Sequence, residues 1–157
     1  MNNSNTVTIT VLPSISNNII DQPDLVICEG STFTNLSASV PAGGTGAFTY
    51  LWQDSITSGI WQPASGANTA STHNPAESMF AAVEHRYFRR AVISGPDDVC
   101  KNYAAPIRLT MWQAIENNII SAPQTICSGD TPVPLTGLIP TQGDHTYTYQ
   151  WQDSSKA

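Results

Sequence analysis

The stretch ISNNIIDQPDLVIC, from Ile15 to Cys28, returns as IENNIISAPQTIC from Ile115 to Cys127, and YLWQDS at Tyr50 to Ser55 returns as YQWQDS at Tyr149 to Ser154. Ile15, Asn17, Asn18, Ile19, Ile20 and Pro23 recur at an offset of 100 (115 − 15). After a one-residue deletion, Cys28, Gly30, Leu36, Tyr50, Trp52, Gln53, Asp54 and Ser55 recur at 99 (151 − 52). A repeat this long is a whole domain rather than one turn of a solenoid, so the pattern reads as domains in series. It also sets boundaries. Residues 15–114 make one complete unit. Residues 1–14 read as the last strand of a preceding repeat, because TVTITVLP (Thr6 to Pro13) aligns with IRLTMWQ (Ile107 to Gln113), and residues 115–157 read as the truncated start of the next.

Composition points to strands and turns. Charged residues are 11% of the 157, against roughly 25% in an average soluble protein, and Gly, Pro, Ser, Thr and Asn separate short apolar runs. No apolar run approaches the ~20 residues of a membrane-spanning helix, and Met1 is followed by NNSNT rather than a basic and then apolar leader. Any signal peptide is therefore expected upstream in a parent protein. Six Lys plus Arg against twelve Asp plus Glu give a formal charge of −6, which argues against nucleic acid or an anionic membrane as the main partner.

Within the complete unit, Ile15 to Ile20 reads as a short edge strand that Pro23 interrupts, since proline has no N–H to donate. Ser31 to Ala38 reads as a strand in which Phe33 is out of phase with Leu36. PAGGTG (Pro41 to Gly46) is a glycine turn, after which Phe48, Tyr50 and Trp52 fall on one strand face. Gly59 to Gln62, Ala67 to Thr72 and His85 to Ser94 follow as strands, and GPDD (Gly95 to Asp98) turns the chain into a final strand, Tyr103 to Trp112. Ala76 to His85 offers at most one helical turn. Tyr50, Trp52, Tyr87 and Val92 are the expected core. About seven short strands, with a tryptophan midway between two cysteines, describe an all-β fold of tandem immunoglobulin-like β-sandwich repeats.

Cys28 and Cys100 share the complete unit and Cys127 copies Cys28, so the repeat predicts a Cys28–Cys100 disulfide. Such a bond persists in an oxidising exterior. The competing pairing joins Cys100 to Cys127 and staples adjacent units.

The pattern formed by Ile27, Cys28 and Gly30, by Pro41, Gly43, Gly44, Gly46, Phe48, Tyr50, Trp52 and Gln53, by Trp61, and by Tyr87, Arg89, Arg90, Val92, Ser94, Gly95 and Cys100 resembles the repeats of giant Bacteroidota cell-surface adhesins. SprB-like gliding-motility adhesin repeats are the nearest in kind, and the Ig-like and PKD-like repeats of the same secretome are a looser likeness. His145 departs from the pattern in the second copy's turn. The resemblance implies an extracellular filament exported by the type IX system, a role in gliding motility or surface attachment, and no catalytic chemistry.

Little in the sequence suggests chemistry of its own. His73, His85 and His145 lack metal-ligand spacing, no nucleophile elbow is present, and no cofactor is expected. Asp21, Asp24, Asp97 and Asp98 could hold Ca2+ at unit ends, although turns select Asp for local hydrogen bonds. Trp61 and the Arg86, Arg89 and Arg90 side chains could contact a surface polysaccharide, the alternative being that an arginine stacks on an aromatic ring and pairs with Glu84 or Asp54. Asp54 to Ile56 fits a short O-glycosylation motif. The expected role is a non-catalytic spacer whose partners are neighbouring repeats of the same polypeptide. The other reading is a carbohydrate-binding module.

Overall fold

The computed structural model describes residues 5–57, 59–81 and 84–154, so the expectations for residues 1–4 and 155–157 lie outside it. Six strands form one sheet: β1 (Leu25–Cys28), β2 (Thr49–Ser55), β3 (Gln62–Pro63), β4 (His85–Ser94), β5 (Cys100–Tyr103) and β6 (Ile107–Trp112). Their order is β1-β6-β4-β2-β3, with β5 also paired to β4. Among the described residues only β1 and β6 run parallel.

Strand alternation builds the core. In β4, Phe88, Arg90, Val92 and Ser94 are buried on one face, and the β2–β4 register sets Trp52 opposite Arg90 and Asp54 opposite Phe88 on that same face. Ile107, Leu109 and Met111 of β6 join Trp52 and Phe88 in a cluster completed by Ile20, Phe33, Leu36 and Phe80 from outside the sheet.

The layer bearing those last residues departs from the expected second sheet. Ser31 to Ala38 and Ala67 to Thr72 form no continuous strand; isolated bridges join Ser16 to Ala42, Ile20 to Ala38 and Leu36 to His73. Side chains take carbonyls that a ladder would have used. The Arg90 guanidinium donates to the carbonyls of Ala38, Ser39 and Ser71, so these backbone groups are satisfied without strand pairing. The expected final strand is likewise two, β5 and β6, separated by a break that contains Pro106. Gly95 to Asp98 does turn β4 into β5, with Asp97 and Asp98 in left-handed geometry, and Glu77–Phe80 is a single 3-10 turn.

Register overturns both cysteine pairings. Cys28 lies beside Trp112 in the parallel β1–β6 ladder, and Thr110 of β6 lies opposite His85 at the start of β4. Cys100 lies opposite Ser94 at the other end of β4. The length of β4 therefore separates them, roughly 30 Å at ~3.3 Å per residue, whereas a disulfide needs Cα atoms within about 7 Å. Cys127 belongs to the copy that joins the unit at the Trp112 end, where the Gly143 N–H donates to the Gln113 carbonyl, and this end is remote from Cys100. All three cysteines are free thiols.

The second copy repeats the backbone of the first over its opening part. Gly44 N–H to Pro13 carbonyl (2.8 Å) has its counterpart in Gly143 to Gln113 (3.1 Å). Asp21 to Ser37 (3.0 Å) matches Ser121 to Thr136 (2.7 Å), and the Ser16–Ala42 and Ile20–Ala38 bridges match Glu116–Thr141 and Ile120–Gly137. Asn17 and Asn117 share a left-handed conformation, with φ of 56° and 58°. Gln142 and His145 also take left-handed geometry where the first copy has Gly43 and Gly46, which is costly for side-chain-bearing residues. The departure at His145 thus leaves the path of the turn intact. Neither residues 5–14 nor Tyr147 to Ser154 form a strand.

Candidate functional site

Alternation along β4 scatters the arginines proposed for glycan contact. Arg89 points to the outer face, where its guanidinium lies 4.2 Å from the Trp61 ring centre and 4.3 Å from that of Tyr103, and its Nε–H donates to Gln53 Oε1 at 2.9 Å. A guanidinium held between two aromatic faces is a cation–π stack. Sequence reasoning missed Tyr103, whose place depends on the β4–β5 register that sets it opposite Ala91.

Arg86 and Arg90 turn inward. Arg86 pairs with the buried Asp54 carboxylate and donates from Nε to the Met79 carbonyl at 2.6 Å. Arg90 is buried over Tyr50, 5.1 Å from its ring centre, and donates to Asn18 Oδ1 at 3.0 Å and the Ser39 carbonyl at 2.6 Å. Burial lowers its pKa, while Tyr50 and Asp21 oppose the shift. Arginine here performs the stacking and pairing alternative weighed for it, and the expected surface patch of Trp61, Arg86, Arg89 and Arg90 does not assemble. Only Trp61 and Arg89 come together, already engaged with each other.

Of the expected core residues, Trp52 and Val92 are fully buried. Tyr50 and Tyr87 are half-buried, Tyr87 edge-on to His85 at 5.9 Å. A buried residue that sequence reasoning left unassigned is His73, whose ring lies 5.8 Å from Trp52 and 5.7 Å from Phe88. Its Nδ1 lies 3.2 Å from the Ala67 carbonyl. Burial lowers its pKa, with the Ala67 carbonyl and the Asp54 charge acting in the opposite direction. His73 Nε2 and Asp54 Oδ1 make no hydrogen bond among the described residues, and both side chains are buried.

Of the unit-end aspartates, Asp21 and Asp24 bond to distant segments and Asp98 pairs locally. Asp21 accepts from the Ser37 hydroxyl at 2.7 Å, Asp24 from the Arg108 N–H at 2.7 Å, and Asp98 pairs with Lys101 at 3.2 Å. Among the described residues no group of three or more His, Cys, Asp or Glu is placed to hold a metal ion. Ser55, the hydroxyl of the sugar-acceptor motif, is buried and donates to the Thr57 carbonyl.

Two further features lie at the two ends of the unit. At one end Thr10, Val11 and Leu12 line an apolar cleft with Thr45, Pro96, Val99 and Cys100. At the other, the turn after Cys28 holds the exit of β6: the Glu29 N–H donates to the Trp112 carbonyl at 2.8 Å and Glu29 Oε2 accepts from the Ala114 N–H at 3.1 Å. Both bonds hold the last residues of the unit, immediately ahead of Ile115.

Residues 17–111 match the family described as a domain of unknown function (DUF8696). The chain belongs to that family. The matched span opens at the left-handed Asn17 and closes at Met111 in β6, so the DUF8696 domain coincides, within a few residues at each end, with the unit delimited by the repeat. No curated protein and no solved structure matches the chain.

Proposed function

We propose that this chain is a non-catalytic segment of a stalk: immunoglobulin-like β-sandwich units in series within a filamentous, extracellular adhesin, giving reach and mechanical continuity in gliding motility or surface attachment. The observation that carries the reading is the junction. The same hydrogen bond, from Gly44 to Pro13 and from Gly143 to Gln113, ties each copy to the segment before it. Glu29 binds the Ala114 N–H immediately ahead of Ile115, so the link between copies is gripped rather than loose. A carbohydrate-binding role loses support because Arg86 and Arg90 are taken into the fold.

The test is small-angle scattering on chains carrying increasing numbers of copies. The maximum dimension should rise by on the order of 30–40 Å per added unit, the length of strands of about ten residues. Growth with the cube root of mass, as for a compact globule, would sink the stalk reading. A glycan-array signal abolished by Trp61→Ala would replace it with the carbohydrate-binding alternative.

A further inference from the structure

We propose that the cysteines form disulfides between consecutive units, each joining the Cys28 position of one copy to the Cys100 position of the next. The inference rests on the serial arrangement proposed above. Cys28 and Cys100 stand at opposite ends of the unit, and each stands at a junction. Cys28 pairs with Trp112, two residues before Ala114, and the turn that follows it holds Trp112 and Ala114 through Glu29. Cys100 stands at the entry end, lining one cleft with Leu12.

Leu12 is the repeat counterpart of Trp112 (112 − 12 = 100). In a preceding copy the Cys28 counterpart would therefore lie one strand from Leu12, about 4.8 Å across a ladder. Leu12 itself packs into the entry end of this unit: an added Cβ on Gly95 would meet the Leu12 side chain at 3.1 Å and that of Val99 at 2.7 Å. The apolar cleft of Thr10, Leu12, Val99 and Cys100 is thus the place where the two cysteines of adjoining copies converge. Its occupant is the Cys28-bearing turn of the copy before. The same geometry makes Cys28 of this chain the partner of a cysteine counterpart to Cys100 in the copy begun at Ile115.

The step is an oxidation. Two thiols lose two protons and two electrons to form one S–S bond, and a disulfide oxidant is reduced to two thiols. The mechanical consequence follows from the positions of the bonds. Force entering a unit through the backbone at Ile15 leaves through Cys28, and force entering through Cys100 leaves through Ala114. The chain between Cys28 and Cys100, which holds most of the core, lies outside both load paths.

The experiment uses the full chain with its second copy completed from its own sequence: residues 1–154 followed by residues 56–114, with Cys127→Ser to silence the third thiol and Lys101→Arg in the added segment alone, so that the two Cys100 peptides differ in mass. After exposure to oxidised glutathione, peptide mapping should find Cys28 cross-linked to the added counterpart of Cys100, with the original Cys100 unpaired. A Cys28–Cys100 cross-link, or free thiols throughout, overturns the disulfide. Scattering on the same protein separates the two ideas. An elongated two-unit particle without the cross-link leaves the stalk and removes the staple, whereas a compact particle overturns both. In single-molecule pulling, oxidation should abolish the long extension steps of unit unfolding that the reduced protein displays.

Discussion

The complete unit and the partial copy share residues at many repeat positions, yet those side chains meet different fates. Trp52 is 0% exposed and Trp151 is 60%. Ile15 is 6% exposed and Ile115 is 58%. The segment before the unit makes the same point, since Met111 is 3% exposed in β6 while its counterpart Val11 is 87%. Local backbone is shared nonetheless, down to the left-handed turn at Gln142 and His145. Turn geometry is therefore a local property of the repeat. Strand formation and burial are collective properties, because a strand needs a neighbour to satisfy its backbone and a facing layer to cover its apolar side.

The largest effect that could break this comparison is a paired truncation. Trp52→Ala should destabilise the unit by about 3–5 kcal/mol, as deletion of a large buried aromatic does. Trp151→Ala at the same repeat position should cost less than about 0.5 kcal/mol. Urea unfolding followed by circular dichroism reads both, and equal losses would mean that the second copy packs as well as the first. Arg90→Ala comes next, at about 3 kcal/mol, because it leaves the carbonyls of Ala38, Ser39 and Ser71 without their charged donor. Hydrogen exchange should then speed up in the irregular layer ahead of the sheet. If β4 exchanges first, Arg90 is not what ties the layers together.

His73 sharpens the comparison by pH. Its folded pKa lies below the ordinary 6.5, so between the two values the unfolded chain binds more protons than the folded one. Stability is fully present above about pH 6.5 and declines as pH falls toward the folded pKa. Urea midpoints measured from about pH 8 to about pH 5 should show this fall, and His73→Phe should flatten that part of the curve. An unchanged slope would assign it to the carboxylates. The smallest effect belongs to the outer stack: Arg89→Ala should cost about 1 kcal/mol, with Trp61 fluorescence shifted by loss of its cationic neighbour.

Much of the fold was legible where it depends on short-range sequence. The alternation of HRYFRRAVIS placed Arg86 and Arg90 on one face and Arg89 on the other, and GPDD marked the β4–β5 turn. Ser31 to Ala38, read as a strand, has only isolated bridges, and Phe33 and Leu36, out of phase with each other, both reach the core because no ladder fixes their alternation. His73 and Tyr103 were not legible as parts of a site. One acquires its role from the Leu36 bridge and the enclosing Trp52 and Phe88, the other from the register of β5, and both depend on contacts between distant segments.

The sequence by itself determined the repeat, the all-β character and the turn positions, since glycine, proline and strand periodicity act over a few residues. Only the tertiary structure decided where the cysteines stand. Cys28 and Cys100 fall within one unit along the chain, but a strand parallel to β6 carries Cys28 to the exit end while the β4–β5 hairpin leaves Cys100 at the entry. Strand direction and register arise from long-range pairing, and they turned an expected internal staple into two thiols at opposite ends of the sheet.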